Sequence, residues 1–421
     1  MFGWEFPPHI TGGLGTACYG MTKSLSKKSV ETIFVVPKAY GDEDRKVASI
    51  IGADGFHITE QHLGKEFMDK VLKISIDSLL VPYVDPDGPV FAENAEVQER
   101  LRILHNQTSS FQFSGKYGSN LYEEVNRFAL IAGLIAAEQE FDVIHAHDWL
   151  TFQAGITAKR VSGKPLVVHV HATEFDRSGE NVNQHVFGIE KMGMEEADIV
   201  VCVSNLTKNI VVSRYGINPK KVKVVHNGVD FKPSKLLPEE KEKTVPEKVV
   251  TFMGRITYQK GPDYFVEAAY KVLERTPNVR FVMAGDGDML KRLIMRVGEL
   301  RMGDKFHFTG FLKGADVERM LANTDVFVMP SVSEPFGIAP LEAMRSKVPV
   351  IISKQSGVSE VLDYALKVDF WDVDALADAI YGLVTYPALA SLLKQEGFVE
   401  ASDLKWDKVA DDLIKCYKQL A

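Results

Sequence analysis

Cysteine is scarce, with three in 421 residues at Cys18, Cys202 and Cys416. An odd, scattered set cannot form a disulfide framework and fits reduced thiols, so a cytoplasmic location is expected. Long apolar runs are lacking too. The longest, Phe128 to Ala137, is too short to cross a bilayer and reads as a core helix, so no integral membrane segment is expected. The opening residues show no basic region and no long apolar stretch, and Glu5 is acidic, so no secretory signal is visible. Lys and Arg are outnumbered, 49 to 57, for a net charge of −8. With no basic tail to offset this, general nucleic-acid binding is not expected. Short basic pairs such as Lys220-Lys221 read as a solvated face.

What is present is an ordinary globular composition, 45% hydrophobic and 25% charged, in a length that allows two or three domains. Apolar β-rich runs alternate with helical patterns, the mark of βαβ units and mostly parallel sheets in an α/β fold. In the first half the strands are Thr32–Val36, Asp142–Ala146, Leu166–Val170, Ile199–Val203 and Val222–Val225. Their hydrophobicity is continuous, as in strands covered on both faces. Helices fall at Gly15–Lys27, Leu121–Gln139, Leu150–Lys159 and Leu206–Tyr215, and an irregular region from Gly41 to Ser119 holds a strand at Leu79–Val84 and a helix at Ala95–Asn106.

Residues 231–248 are charged and contain Pro-Glu-Glu-Lys-Glu-Lys, as a solvated linker does. A second α/β run follows, with strands Val249–Met253, Val279–Ala284, Phe306–Thr309, Asp325–Met329 and Val348–Ile352. The chain thus divides into two Rossmann-like domains, 1–230 and 249–403, facing a central cleft, with a last helix in 404–421. Clefts between domains are favoured ligand sites.

The most informative string is Ser333-Glu-Pro-Phe-Gly-Ile-Ala-Pro-Leu-Glu342. It leaves a buried strand and enters a helix, so Glu334 sits at the carboxyl end of a strand, where open α/β sheets bind ligands. Glu342 lies one to two turns further on. The amides of Phe336, Gly337 and Ile338 between them can donate to hydroxyls or phosphate oxygens. Arg255 and Lys260, five apart on the loop after Val249–Met253, offer a bidentate guanidinium and a mobile ammonium for a diphosphate. Gly12-Gly13 precede a helix, and a helix N-terminus favours anions.

These motifs resemble those of retaining glycosyltransferases of the GT-B fold, in the group containing glycogen, sucrose-phosphate and mannosyl synthases. The resemblance runs over nearly the whole chain: Trp4-Glu-Phe-Pro-Pro8 with Thr11-Gly-Gly-Leu-Gly15, His145-Ala-His-Asp-Trp149, Asn227-Gly-Val-Asp230, Gly254-Arg255 with Lys260-Gly261, Gly285-Asp-Gly287, and the Glu334–Glu342 string. It implies a nucleotide diphosphate sugar held by Arg255 and Lys260, its sugar by Glu334 and its ribose by Glu342. It also implies front-face departure of the leaving group, with its phosphate as base, rather than Glu334 as nucleophile. His171, after Leu166–Val170, would lie beneath the donor sugar, and His169 shares its face as the competing candidate. In the group, the final helix (Trp406 to Leu420) crosses back onto the first domain; from the sequence alone it is equally a surface helix. Met1 to Pro8 reads as the tail of a central first strand whose opening residues are missing.

No catalytic metal and no cofactor beyond the UDP- or ADP-sugar co-substrate is expected. His145, His147 and Asp148 offer three potential ligands on one strand end, which seldom converge, and read as cleft-wall and hydrogen-bonding residues. Asp372-Val-Asp374 reads as a helix cap. Compared with bacterial starch and glycogen synthases, Ile10 and Thr16 replace a lysine and an aspartate, which leaves donor and acceptor open. The favoured reaction is glucosyl transfer to an α-glucan. The alternatives are mannosyl or other transfer to an envelope glycan or small acceptor, and a non-transferring relative such as a sugar-nucleotide epimerase or a glycan-binding protein.

Overall fold

The computed structural model describes residues 1–9, 12–55, 113–115, 118, 120–230 and 245–420. The strand expected at Leu79–Val84, the helix at Ala95–Asn106, Ile10 and most of the linker lie outside the described residues.

The first half contains α1 (Gly13–Lys27), β1 (Ile33–Val36), β2 (Ser49–Gly52), α2 (Leu121–Glu138), β3 (Ile144–His147), α3 (Trp149–Ser162), β4 (Leu166–Val170), α4 (Glu174–Ser178), α5 (Gln184–Glu196), β5 (Ile199–Cys202), α6 (Asn205–Ser213) and β6 (Val222–Val224). Strands β3-β4-β5-β6 pair in parallel in that order, and β1 pairs in parallel with β2. Residues Met1 to Gly3 join the two sets. Phe2 bridges both Val35 and Ala146, and the His147 amide donates to the Phe2 carbonyl at 3.1 Å. The opening segment therefore takes a central place in this layer.

The second half contains β7 (Lys248–Met253), α7 (Pro262–Arg275), β8 (Val279–Ala284), α8 (Leu290–Glu299), β9 (Phe306–Gly310), α9 (Ala315–Asn323), β10 (Val326–Met329), α10 (Ile338–Arg345), β11 (Val350–Ser353), β12 (Leu366–Val368), α11 (Val373–Thr385), α12 (Pro387–Asp403) and α13 (Trp406–Tyr417). Its six parallel strands run in the order β12-β11-β10-β7-β8-β9. From β7 the chain winds outward through β8 and β9, then returns to β10 and winds the other way. The reversal lies between β7 and β10, and ligands in open α/β sheets bind at such a point, outside the carboxyl ends of the strands. Every residue of β3, β4, β5, β10 and β11 is buried, which is why β5 and β10 are continuously apolar, whereas β3 (Ile-His-Ala-His) and β4 bury histidines among their apolar residues.

The last helix returns to the first half. Trp406 fills the space left by Gly20 of α1, where an added Cβ would lie 2.3 Å from the indole. Val409, Ala410 and Leu413 complete one core with Ala17, Met21, Leu25 and Val201. Ser24 donates to Asp407 at 3.0 Å and Lys28 pairs with Asp411 at 2.7 Å. Asp372 caps α11 by accepting from the Ala375 amide at 2.9 Å. Among the described residues no single helix is long and apolar enough to cross a membrane.

Candidate active site

Two loops meet at the reversal between β7 and β10. Lys260, on the loop after β7, places its Nζ 2.5 Å from Glu334 Oε2 on the loop after β10. Close approach of these loops depends on Gly261, whose φ is +63° and whose added Cβ would lie 2.1 Å from the Pro330 carbonyl oxygen. Arg255 lies exposed on the same loop as Lys260, with its guanidinium 3.4 Å from the Gln259 side-chain oxygen. The Gly285-Asp-Gly287 turn abuts this loop, and the Ile256 amide donates to the Asp286 carbonyl at 2.8 Å.

Glu334 is 7% exposed and also accepts from the Ser331 hydroxyl at 3.4 Å. Its backbone is clamped by the following segment: its amide donates to Gln355 at 3.0 Å and its carbonyl accepts from Gly357 at 2.8 Å. Phe336 is a packing residue, 2% exposed, with its carbonyl bound by the Val358 amide at 2.7 Å. Gly337 turns the chain at φ +103°, and α10 starts at Ile338 with no side chain capping it. First-turn amides of a helix have no partners within it, which suits them to a ligand oxygen. Glu342, inside α10, has its backbone carbonyl bound by the Ser346 amide at 3.1 Å and hydroxyl at 3.0 Å, while its carboxylate makes no hydrogen bond or ion pair with any described residue. Burial raises its carboxyl above the usual range, opposed by Arg345.

The facing elements come from the first half. Helix α1 begins at Gly13 without a side-chain cap. Gly12 is in extended backbone that any residue adopts, and an added Cβ at Gly12 or Gly13 meets nothing within 4 Å. Neither glycine is required by internal packing. His171 follows β4 and is less buried than His169, which is fully enclosed and stacks on it at 4.3 Å between ring centroids. Burial pushes His171 down to about 3, so its ring is neutral. Its Nε2 lies 3.1 Å from His147 Nδ1.

Asp148 positions this loop. Its Oδ1 accepts from the His171 amide at 2.6 Å and the Ala172 amide at 3.3 Å. Its φ of +59° is strained for a non-glycine residue, as at many functional loops. Burial raises its carboxyl to about 7, with Arg177 and the two amides opposing. The expectation that His145, His147 and Asp148 would not converge holds for Asp148 and fails for the histidines. His145 and His147 point to one face of β3, as alternate residues must, stack at 4.3 Å, and meet His169 from β4.

Contacts between the halves bring the His171 and Glu334 loops together. Ser333 donates to Asp176 at 2.5 Å, and Asp176 also forms a capping box with Thr173 at the start of α4. Glu360 accepts from the Asn205 and Leu206 amides at 2.9 and 2.8 Å, and lies 3.0 Å from His226 Nε2. Sequence reasoning missed both contacts. The capping box is a local signal for Asp176, whereas Glu360 stands in no motif that marks it.

Residues 84–232 match the family described as glycosyltransferase family 4, and residues 234–399 match glycosyl transferases group 1. The α-maltose-1-phosphate synthase of Mycolicibacterium smegmatis is 30% identical over 315 residues, 66% of this chain and 79% of that protein. The chain belongs to the group 1 glycosyltransferases. An uncharacterised glycosyltransferase of Methanocaldococcus jannaschii is 28% identical over 99% of this chain and 97% of its own length. Glycogen synthase of Mycobacterium tuberculosis is 26% identical over 99% and 93%. Among solved structures, sucrose-phosphate synthase from Thermosynechococcus elongatus superposes with a TM-score of 0.70 at 19% identity, covering 97% of this chain and 94% of that one. Anabaena HepE in complex with UDP and glucose gives 0.62 at 21% identity, covering 83% and 96%. This group 1 glycosyltransferase therefore has the GT-B fold, with its two parallel sheets as the Rossmann-like layers, and is an enzyme.

Proposed function

We propose that the enzyme transfers glucose, with retention and without a catalytic metal, from UDP- or ADP-glucose to an α-glucan in the cytoplasm. The observation that carries this reading is the Lys260–Glu334 contact at the reversal between β7 and β10. In the ligand-free protein the two charges satisfy each other. On donor binding Lys260 turns to the diphosphate beside Arg255, and Glu334 is released to accept from a sugar hydroxyl. Negative charge grows on the leaving phosphate as the glycosidic bond breaks, so both cations bind the transition state more tightly than the ground state. Glu342 takes the ribose hydroxyls, the α10 amides of Gly337 and Ile338 take phosphate oxygens, and Gly12 and Gly13 leave room for the donor at α1. His171 lies beneath the sugar, held by Asp148.

The glucan acceptor is supported by the near full-length similarity to a glycogen synthase. Transfer to a small phosphorylated acceptor is the second reading, favoured by two relatives whose names, sucrose-phosphate synthase and α-maltose-1-phosphate synthase, specify phosphorylated products. Purified protein incubated with a panel of nucleotide sugars, with glycogen, with glucose phosphates or with neither, separates these. Nucleotide released only with glycogen supports the first reading, and only with a sugar phosphate the second. Isomerised nucleotide sugar without release contradicts transfer.

A further inference from the structure

We propose that His145, His147 and His169 bind one transition-metal ion of the class that imidazole suits, with zinc(II) as the type case, as a structural ion beneath the sugar site. All three side chains are essentially fully buried, and one ring nitrogen from each lies within 4.8 Å of the others. A tetrahedral zinc site with bonds of about 2.0–2.1 Å sets its nitrogens ~3.4 Å apart. His145 Nε2 and His169 Nδ1 are already 3.2 Å apart.

Two independent features point to a ligand. First, Nε2 of His147 is buried and has no hydrogen-bond partner. Such orphans are rare in folded proteins and call for an unseen partner. Second, the opposite nitrogens of two of the rings are backed by hydrogen-bonding groups: Tyr417 hydroxyl lies 2.6 Å from His145 Nδ1, and His171 Nε2 lies 3.1 Å from His147 Nδ1. Metal-binding histidines characteristically have such an outer partner, which fixes the tautomer. Burial also holds all three imidazoles well below their usual pKa, so protons do not compete for the lone pairs.

The burial that makes the site plausible for a structural ion excludes a catalytic one, because no substrate atom reaches it. Its consequence for the cleft is tautomeric. An ion on His147 Nε2 leaves Nδ1 as an N–H donor to His171 Nε2, so His171 carries its own proton on Nδ1. It also ties Tyr417 of α13 to the centre of the first sheet. A second triad, Cys18, His147 and His171, overlaps the first. Burial and the nearby Asp148 and Glu5 carboxylates raise the Cys18 thiol well above its usual range, which disfavours the thiolate that a metal needs.

The test strips the full chain with a chelator and titrates it with zinc(II) by calorimetry and with cobalt(II) by absorption. One ion per chain is expected, with tetrahedral cobalt bands, no thiolate charge-transfer band and a higher melting temperature. His169→Gln should abolish stoichiometric binding and Cys18→Ser should retain it. Binding no tighter than that of folded His169→Gln protein overturns the site, as does a thiolate band that disappears in Cys18→Ser. Should His169→Gln fail to fold, nitrogen-15 histidine spectra of the wild type decide. Zinc-dependent shifts of His147 Nε2 and His169 Nδ1 support the site, and unchanged resonances overturn it.

Discussion

Lys260 Nζ and Glu334 Oε2 lie 2.5 Å apart across the β7–β10 reversal, with the lysine side chain 19% exposed and the glutamate's 9%. The cation assigned to the leaving phosphate and the carboxylate assigned to the sugar are thus each other's counter-ions before substrate arrives. Removing one leaves the other poorly solvated and unpaired, which is the costly way to break an ion pair. Lys260 is therefore not the freely exposed loop cation that its sequence context suggests.

Lys260→Ala should lower turnover by about 10²–10³, the usual loss when a preorganised charge contact is removed. It should also lower the melting temperature, because Glu334 loses its partner. Arg255 is exposed and makes one long contact, so Arg255→Ala should lower turnover comparably with little change in melting. Steady-state rates and thermal melts on both variants check this. Full turnover in either folded variant removes that residue from the mechanism.

Glu342→Gln should separate function from stability. Its carboxyl is raised by burial and has no partner among the described residues, so removing the charge should leave melting unchanged or slightly higher at pH 7. Loss of a charged hydrogen bond to ribose should weaken nucleotide binding by about 10–100-fold. Calorimetry with free nucleotide measures the second effect, and undiminished affinity contradicts the ribose assignment.

The histidine cluster sets an acid limit on stability. His171 falls to about 3 when folded against an ordinary 6.5, and His145, His147 and His169 are lowered by the same burial. The unfolded chain thus binds more protons, so the stability these groups contribute is full above about 6.5 and drains as pH falls toward 3. Asp148 acts in the opposite sense. Its raised folded value, about 7 against 3.8, adds stability at low pH that is lost as pH rises through 7. In the Asp148→Asn variant, urea denaturation between pH 4 and 7 should show a steeper loss toward acid than the wild type. Superimposable pH profiles count against the buried-carboxyl reading.

Glu360 clamps the second half onto α6 of the first through the Asn205 and Leu206 amides. If the halves close around donor, solution scattering should show compaction with nucleotide, and Glu360→Ala should be more open without it. Identical curves in all states argue for a rigid cleft.

Much of this architecture was legible because fully covered parallel strands announce themselves as short, continuous apolar runs, as in Ile199–Cys202 and Val326–Met329. The Asp372 cap was readable because its signal is local. Strands Ser49–Gly52 and Leu366–Val368 were not, being short sheet-edge strands with mixed burial and little pattern to read. The stacked histidines needed strand register, and the Lys260–Glu334 contact joins residues 74 apart in sequence. Such pairings are set by sheet order, which periodicity along the chain does not encode.

The most direct measurement compares Glu334→Gln with the wild type in nucleotide binding and in glycosyl transfer. Glutamine keeps the size and an acceptor oxygen but removes the charge beside the sugar and the counter-ion of Lys260. Turnover should fall by about 10²–10³ while affinity for free nucleotide stays nearly intact, because the carboxylate acts on the sugar as positive character develops at its reacting carbon. A folded Glu334→Gln enzyme with full turnover would contradict the site assignment altogether.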